Sequence, residues 1–252
     1  MKDIKKALKN KELTIGSWIT IPSPITVEMM CNSGFDWLAI DLEHSAISIE
    51  SAQDLIRIIS LHGIFPFVRL TSNDSDQIKR VMDAGALGII VPMVKSADDV
   101  RMAIDSVYYA NKGKRSVGLA RAQDYGRSLP NYIEDLDSKA VLIVQIEHID
   151  AVSELKEIFS FKDLDGYFIG PIDLSASMGV TGKINDKEVT DVINHVIDLS
   201  DKMGIPGGQH IIEPDIELLK QAVDRGTKFI GYSLDIRLFD KALTEFKRNR
   251  DQ

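Results

Sequence analysis

The stretch Phe35-Asp36-Trp37-Leu38-Ala39-Ile40-Asp41-Leu42-Glu43-His44 decides how the rest of the chain reads. Residues 35–40 are a short apolar run without helical period, and the polar turn Asp41-Leu42-Glu43-His44 follows at once. A buried strand that hands over to polar residues and then to a helix is the repeating unit of a parallel sheet covered by helices. The next segment completes that unit, because residues 48–62 carry Ile49, Ala52, Leu55, Ile56 and Ile59 at the three-and-four spacing of one helix face.

The same handover recurs in both directions. Further strands are expected at 14–19, 64–70, 87–94, 141–146, 166–169, 205–209 and 229–232. Helices are expected from Ser23-Pro24, which read as a cap and first helical position, and at 74–84, 96–110, 151–159, 187–203 and 215–224. Eight such units in 252 residues match the roughly 250 typical of a (β/α)8 TIM barrel. One domain spanning 1–252 is therefore expected. Residues 111–131, with Gly113, Gly118, Gly126 and Pro130 scattered among basic residues, read as a long loop.

Composition narrows the function. A formal net charge of −8 disfavours a nucleic-acid partner, which draws affinity from clustered Lys and Arg, and points to a small molecule. The single cysteine, Cys31, excludes an internal disulfide framework and reads as a buried thiol. Neither a signal peptide nor an apolar run long enough to span a bilayer is visible, so a cytoplasmic location is expected.

The polar residues with chemical promise fall at strand ends, which share one face in such a barrel. Asp41 and His44 follow one strand, Arg69 closes another, Glu147 follows a third, and Asp173 lies beyond Phe168-Ile169-Gly170-Pro171. Glu147 and Asp173 suit a hard divalent cation with open positions; taken by themselves they read more readily as ion-pair or helix-capping residues. Gln145 projects to the same side as Glu147. His44 is a candidate base, and Arg69, ending an apolar run, needs an anion, either Asp41 or a substrate. His210, after Gly207-Gly208-Gln209, is placed to line the same pocket.

The residues Asp41-Leu42-Glu43-His44, Val68-Arg69, Met82-Asp83-Ala84-Gly85-Ala86, Val91-Pro92-Met93-Val94, Gly118 through Arg121-Ala122, Gln145-Ile146-Glu147 and Phe168-Ile169-Gly170-Pro171-Ile172-Asp173-Leu174 together resemble the HpcH/HpaI aldolase family, in order from 16 to 239. The resemblance implies a phosphoenolpyruvate/pyruvate-type barrel acting as a class II aldolase that reversibly cleaves a 4-hydroxy-2-oxo acid to pyruvate and an aldehyde. It implies that Glu147 and Asp173 hold a divalent cation (Mg2+, Mn2+ or Co2+). Gln145, Gly170, Asp173 and the Ile172 amide would hold the pyruvyl end. Arg69 would stabilise the enolate oxygen, His44 would act as base through a water, Asp83 would strengthen it as a base, and Asp41 would orient the network. It further implies a hexamer, a trimer of dimers exchanging C-terminal helices, with residues 238–252 as the exchanging helix.

The chain departs from the family pattern before the loop arginines, where Asn111-Lys112-Gly113-Lys114-Arg115 replaces a Pro-Pro-Gly stretch. That difference bears on the aldehyde half of the substrate. Rival readings are a Schiff-base aldolase through Lys95, a related barrel lyase acting on an acyl-CoA or phosphonate, and a noncatalytic binding barrel.

Overall fold

A computed structural model describes residues 1–110 and 112–250, so Asn111 of the expected loop and the last two residues of the expected C-terminal helix lie outside it. Eight parallel strands close a barrel in chain order: β1 (Thr14–Ile19), β2 (Trp37–Asp41), β3 (Phe65–Arg69), β4 (Gly88–Val91), β5 (Val141–Ile146), β6 (Gly166–Ile169), β7 (Gly207–Ile211) and β8 (Phe229–Leu234). The helices are α1 (Ile4–Lys9), α2 (Pro24–Cys31), α3 (Ile49–Leu61), α4 (Ser75–Asp83), α5 (Ala97–Val107), α6 (Leu129–Lys139), α7 (Ile149–Ser153), α8 (Leu155–Phe159), α9 (Pro171–Ser177), α10 (Lys187–Met203), α11 (Ile216–Asp224) and α12 (Asp235–Arg250). The chain is a (β/α)8 TIM barrel.

Local chemistry starts these helices where the sequence places them. Ser23, Ser48 and Asp74 each accept a backbone N–H from the first turn that follows. Ser96 and Asp99 form a reciprocal capping box at the start of α5. Such caps satisfy amides that have no carbonyl within the helix, each contributing about 1 kcal/mol.

Strand alternation sends one set of side chains into the barrel and the other toward the helices. The inner set is aromatic, with Trp37, Phe65, Phe67, Phe168 and Phe229 packed beside Val141 and Ile143. Ile4 and Leu8 of α1 join that cluster, and Lys5 donates to the carbonyl of Ala140 just before β5. The N-terminal helix therefore plugs the barrel at the N-terminal ends of its strands. Rings this large fit because glycines face them: a Cβ on Gly16 would lie 1.9 Å from the Trp37 ring, and one on Gly88 2.3 Å from Phe67.

Two expectations need correction. Residues 111–131 are not a loop throughout, since a 3-10 turn (Arg121–Gly126) and the start of α6 occupy them. The three-and-four apolar spacing of α6, Leu129, Tyr132, Ile133 and Leu136, lies mostly beyond residue 131, and the glycines before it read as loop. The helix expected over 151–159 divides into α7 and α8 at Glu154, whose side chain accepts the N–H of Ala97 at the start of α5. The short α9, separated from β6 by Gly170 alone, has no counterpart in the sequence reading, since seven residues are too few to show a period.

The last helix, α12, shows an unusual surface. Ile236, Phe239, Leu243 and Phe246 follow a three-four-three spacing, which forms one stripe on a helix, yet they are 46%, 63%, 51% and 66% exposed.

The tight seating of the inner rings makes a stability prediction. Gly16→Ala should lower unfolding free energy by about 1–3 kcal/mol through overpacking, read from urea denaturation followed by circular dichroism.

Candidate active site

The inner side chains end, at the C-terminal face, in a layer drawn from alternate strands. Gly16 faces Trp37, so Trp18 two residues on also points inward; Phe65 and Phe67 lead to Arg69, and Val141 and Ile143 lead to Gln145. A Cβ on Gly208 would lie 2.5 Å from Phe168, which puts His210 on the inner side as well. Trp18, Arg69, Gln145 and His210 thus form the floor of the barrel mouth, one from each odd-numbered strand.

Arg69 is held upright in that floor. Asp41 and Arg69 are register partners across β2 and β3. Arg69 Nε donates to Asp41 Oδ1 at 2.9 Å and Nη2 to Oδ2 at 2.6 Å, a two-pronged geometry. Its guanidinium lies 4.6 Å from the centre of the Trp18 ring. The remaining nitrogen, Nη1, lies 3.3 Å from Glu43 Oε2.

Asp41 also shapes the turn that carries the candidate base. Its Oδ1 accepts the N–H groups of Glu43 at 3.0 Å and His44 at 3.2 Å, and its backbone carbonyl accepts the Ser45 hydroxyl. These bonds set the Glu43 and His44 side chains on the rim. His44 is 63% exposed, with Nε2 3.6 Å from Glu43 Oε2.

Across the mouth, Glu147 is almost fully buried, and both of its oxygens accept hydrogen bonds. Met93 N–H donates to Oε1 at 2.7 Å and Gln145 Nε2 to Oε2 at 2.8 Å. Two local features make room for it. Met93 adopts φ +52°, unusual for a residue with a side chain. A Cβ on Gly170 would come within 2.4 Å of Glu147 Oε2, so only glycine fits there. Gly170 opens α9, which sets the Ile172 amide and Asp173 in its first turn, where amides lack a partner within the helix.

The electrostatics of the mouth favour a cation. Burial, then the charges of Glu43 and Asp173, push the Glu147 carboxyl up from 4.5 to about 7, against the Met93 N–H and Arg69. Burial also pushes Glu43 up to about 7, with Asp41 and Asp173 adding to it and Arg69 opposing. Gln145 Oε1 is buried without a hydrogen-bond partner. Clustered carboxylates beside an unsatisfied amide oxygen fit a hard divalent ion. Among the described residues no three His, Cys, Asp or Glu side chains form a closed cage, so Glu147 and Asp173 would leave positions for water and substrate oxygens.

The sequence model for HpcH/HpaI aldolase/citrate lyase matches residues 14–242. The chain belongs to that family. Among the relatives of this HpcH/HpaI protein, a hydroxypyruvate/pyruvate aldolase of Sagittula stellata is 36% identical over 94% of this chain and 93% of its own length. A 4-hydroxy-2-oxo-heptane-1,7-dioate aldolase of Escherichia coli is 34% identical over 94% and 90%. The crystal structure of a family protein from Burkholderia cenocepacia superposes with a TM-score of 0.92 at 25% identity, covering all of both chains. Both named relatives are aldolases, and the HpcH/HpaI protein is an enzyme of that kind, a carbon–carbon lyase.

Of the residues expected at the site, Asp41, His44, Arg69, Gln145, Glu147, Gly170, Ile172 and Asp173 meet at the mouth of the HpcH/HpaI barrel. Asp83 does not. It ends α4, which runs back from the C-terminal to the N-terminal face, and its Oδ1 accepts from Arg115 Nη2 at 2.5 Å and Gln123 Nε2 at 3.4 Å. Within one chain Asp83 and His44 thus lie at opposite ends of the barrel. Lys95 is exposed, and its backbone joins the capping turn of α5, which lacks the desolvation an imine-forming lysine needs. Glu43, Trp18 and Met93 were missed as site residues. Period-two alternation back from Arg69 and forward from Gly16 would have found Trp18; Glu43 and Met93 carry no signal short of the folded turns. A groove of 570 Å³ on the barrel flank, lined by Arg57, Leu61, Arg121, Tyr125 and Tyr132, contains none of these groups.

The raised carboxyls predict how stability responds to pH. Glu43 and Glu147 ionise near 4.5 when unfolded and at about 7 when folded, so between these values the folded state binds more protons. Their contribution is complete below about pH 4.5 and declines as pH rises to about 7. The melting temperature of chelator-treated protein should therefore fall across that window. Glu147→Gln should flatten the fall, and millimolar Mn2+ at pH 8 should reverse it by binding the folded state.

Proposed function

We propose that the protein cleaves a 4-hydroxy-2-oxo acid reversibly to pyruvate and an aldehyde. The observation that carries this reading is the pairing, across one barrel mouth, of the buried Glu147 carboxylate and the exposed Asp173 carboxylate with an Arg69 guanidinium held upright by Asp41. A divalent cation (Mg2+, Mn2+ or Co2+) held by Glu147 and Asp173 would polarise the keto oxygen and cancel the repulsion between the acids.

The chain's own residues supply the rest. The Ile172 amide and the second amide hydrogen of Gln145 donate to the substrate carboxylate, beside Gly170. His44, through a water, takes the proton of the C4 hydroxyl; the C3–C4 bond breaks, its electron pair forms the enolate, and the aldehyde departs. Arg69 keeps N–H groups beyond those given to Asp41 and Glu43 and directs them at the enolate oxygen, where negative charge grows. Protonation at C3 then yields pyruvate.

Asp83 can strengthen His44 as a base only across a contact between two copies. The uncovered apolar stripe of α12 supports such an assembly, because Ile236, Phe239, Leu243 and Phe246 need a partner surface. A hexamer arranged as a trimer of dimers that exchange this helix meets both needs. Among the described residues no helix is long and apolar enough to cross a membrane, and the proposed setting is the cytoplasm.

Pyruvate release from a panel of 4-hydroxy-2-oxo acids, coupled to lactate dehydrogenase with and without EDTA, tests the reaction. Glu147→Ala should reduce activity at least about a thousandfold, and Arg69→Ala should lower kcat about a hundredfold while changing KM far less. Normal activity of Glu147→Ala in chelated buffer would sink the mechanism. Co-expression of His44→Ala with Asp83→Ala chains should restore activity that neither has by itself, since a mixed dimer contains one intact pair; no restoration would exclude a shared site.

A further inference from the structure

His210 is the fourth member of the floor layer and takes no part in the steps above. It projects inward from β7, its ring centre 5.3 Å from that of Trp18. Nε2 lies 3.3 Å from the carbonyl of Ser233 on β8. A carbonyl can only accept, so Nε2 carries the hydrogen and Nδ1 is left as an acceptor. Among the described residues Nδ1 has no hydrogen-bond partner. The ring is kept neutral chiefly by burial, which pushes it down to about 4, with Arg69 adding to the effect.

The rest of the floor decides which part of a substrate meets this nitrogen. Gln145, Glu147 and Asp173 gather on the β5–β6 side, and Arg69 rises from β3. A 2-oxo acid with its carboxylate and keto oxygen on those groups directs C3 toward the remaining quadrant, that of Trp18 and His210. A methyl group there would cover this acceptor without pairing it, whereas a hydroxyl satisfies it.

We propose that His210 is a specificity-determining, substrate-contacting residue whose Nδ1 accepts a hydrogen bond from a hydroxyl on C3 of the donor, so that a 3-hydroxylated 2-oxo acid is taken in preference to pyruvate. This rests on the aldolase reading, and its test separates the two. Mg2+-loaded enzyme is assayed for aldol addition of hydroxypyruvate and of pyruvate to one common aldehyde. In parallel, the affinity of each donor is read from quenching of tryptophan emission, since Trp18 lies against the site.

His210→Leu should lose about ten- to a hundredfold in both kcat/KM and affinity for hydroxypyruvate, while pyruvate changes no more than about threefold. His210→Gln, whose amide oxygen still accepts, should retain most of the preference. Wild-type protein that binds hydroxypyruvate no more tightly than pyruvate overturns the proposal, as does an equal loss for both donors in His210→Leu. Tighter binding of hydroxypyruvate that depends on His210, with turnover of neither donor, would uphold the contact and overturn the aldolase reading instead.

Discussion

The guanidinium of Arg69 stands where an aromatic barrel interior gives way to a mouth lined with acids. A cation set on such an interior is costly unless its hydrogen bonds are met, and here the barrel register meets them: Asp41 is the cross-strand partner of Arg69 and accepts two of its N–H groups. The same carboxylate oxygen that takes Arg69 Nε also takes the amides of Glu43 and His44. One buried aspartate therefore fixes the direction of the arginine and the course of the turn that carries the candidate base. Loss of this pair would disturb both the arginine and that turn.

On the opposite side, a negative charge is buried against its own preference. Glu147 occupies space that exists only because Gly170 has no side chain, and it holds Met93 in a left-handed backbone conformation through an N–H bond. Sparsely populated backbone conformations cost on the order of 1–3 kcal/mol and persist where the surroundings over-determine them. The fold accepts this cost, together with mutual repulsion among Glu43, Glu147 and Asp173, at one place. A carboxylate set arranged in this way gains most from a divalent ion.

The barrel also leaves work undone within a single copy. Arg115, its side chain fully buried, holds Asp83 together with Gln123, and its guanidinium packs against the Tyr109 and Tyr132 rings, at the face remote from the mouth. The atypical segment after α5 thus has a firm structural role there, beyond any contact with the aldehyde. At the C-terminus, a helix begins at β8 and carries its apolar stripe into solvent.

Much of this architecture was legible in the residue order. Continuous apolar runs alternating with three-four spacing define parallel strands and covering helices, and caps such as Ser48, Asp74 and Ser96 mark helix starts, because these signals are local and depend only on neighbouring side chains. Most of the mouth followed, since residues just past strand ends must share one face. The helix α6 was passed over although Leu129, Tyr132, Ile133 and Leu136 have helical spacing, because the glycines and basic residues leading into it read as loop. What tertiary structure decided was the pairing of groups distant in sequence: Arg69 with Glu43, Glu147 with the Met93 amide and the hollow at Gly170, His210 over Trp18, and Asp83 with Arg115 at the far end of the barrel. Such meetings depend on strand register, helix direction and the closure of the sheet, and a residue's own sequence neighbours carry no record of them.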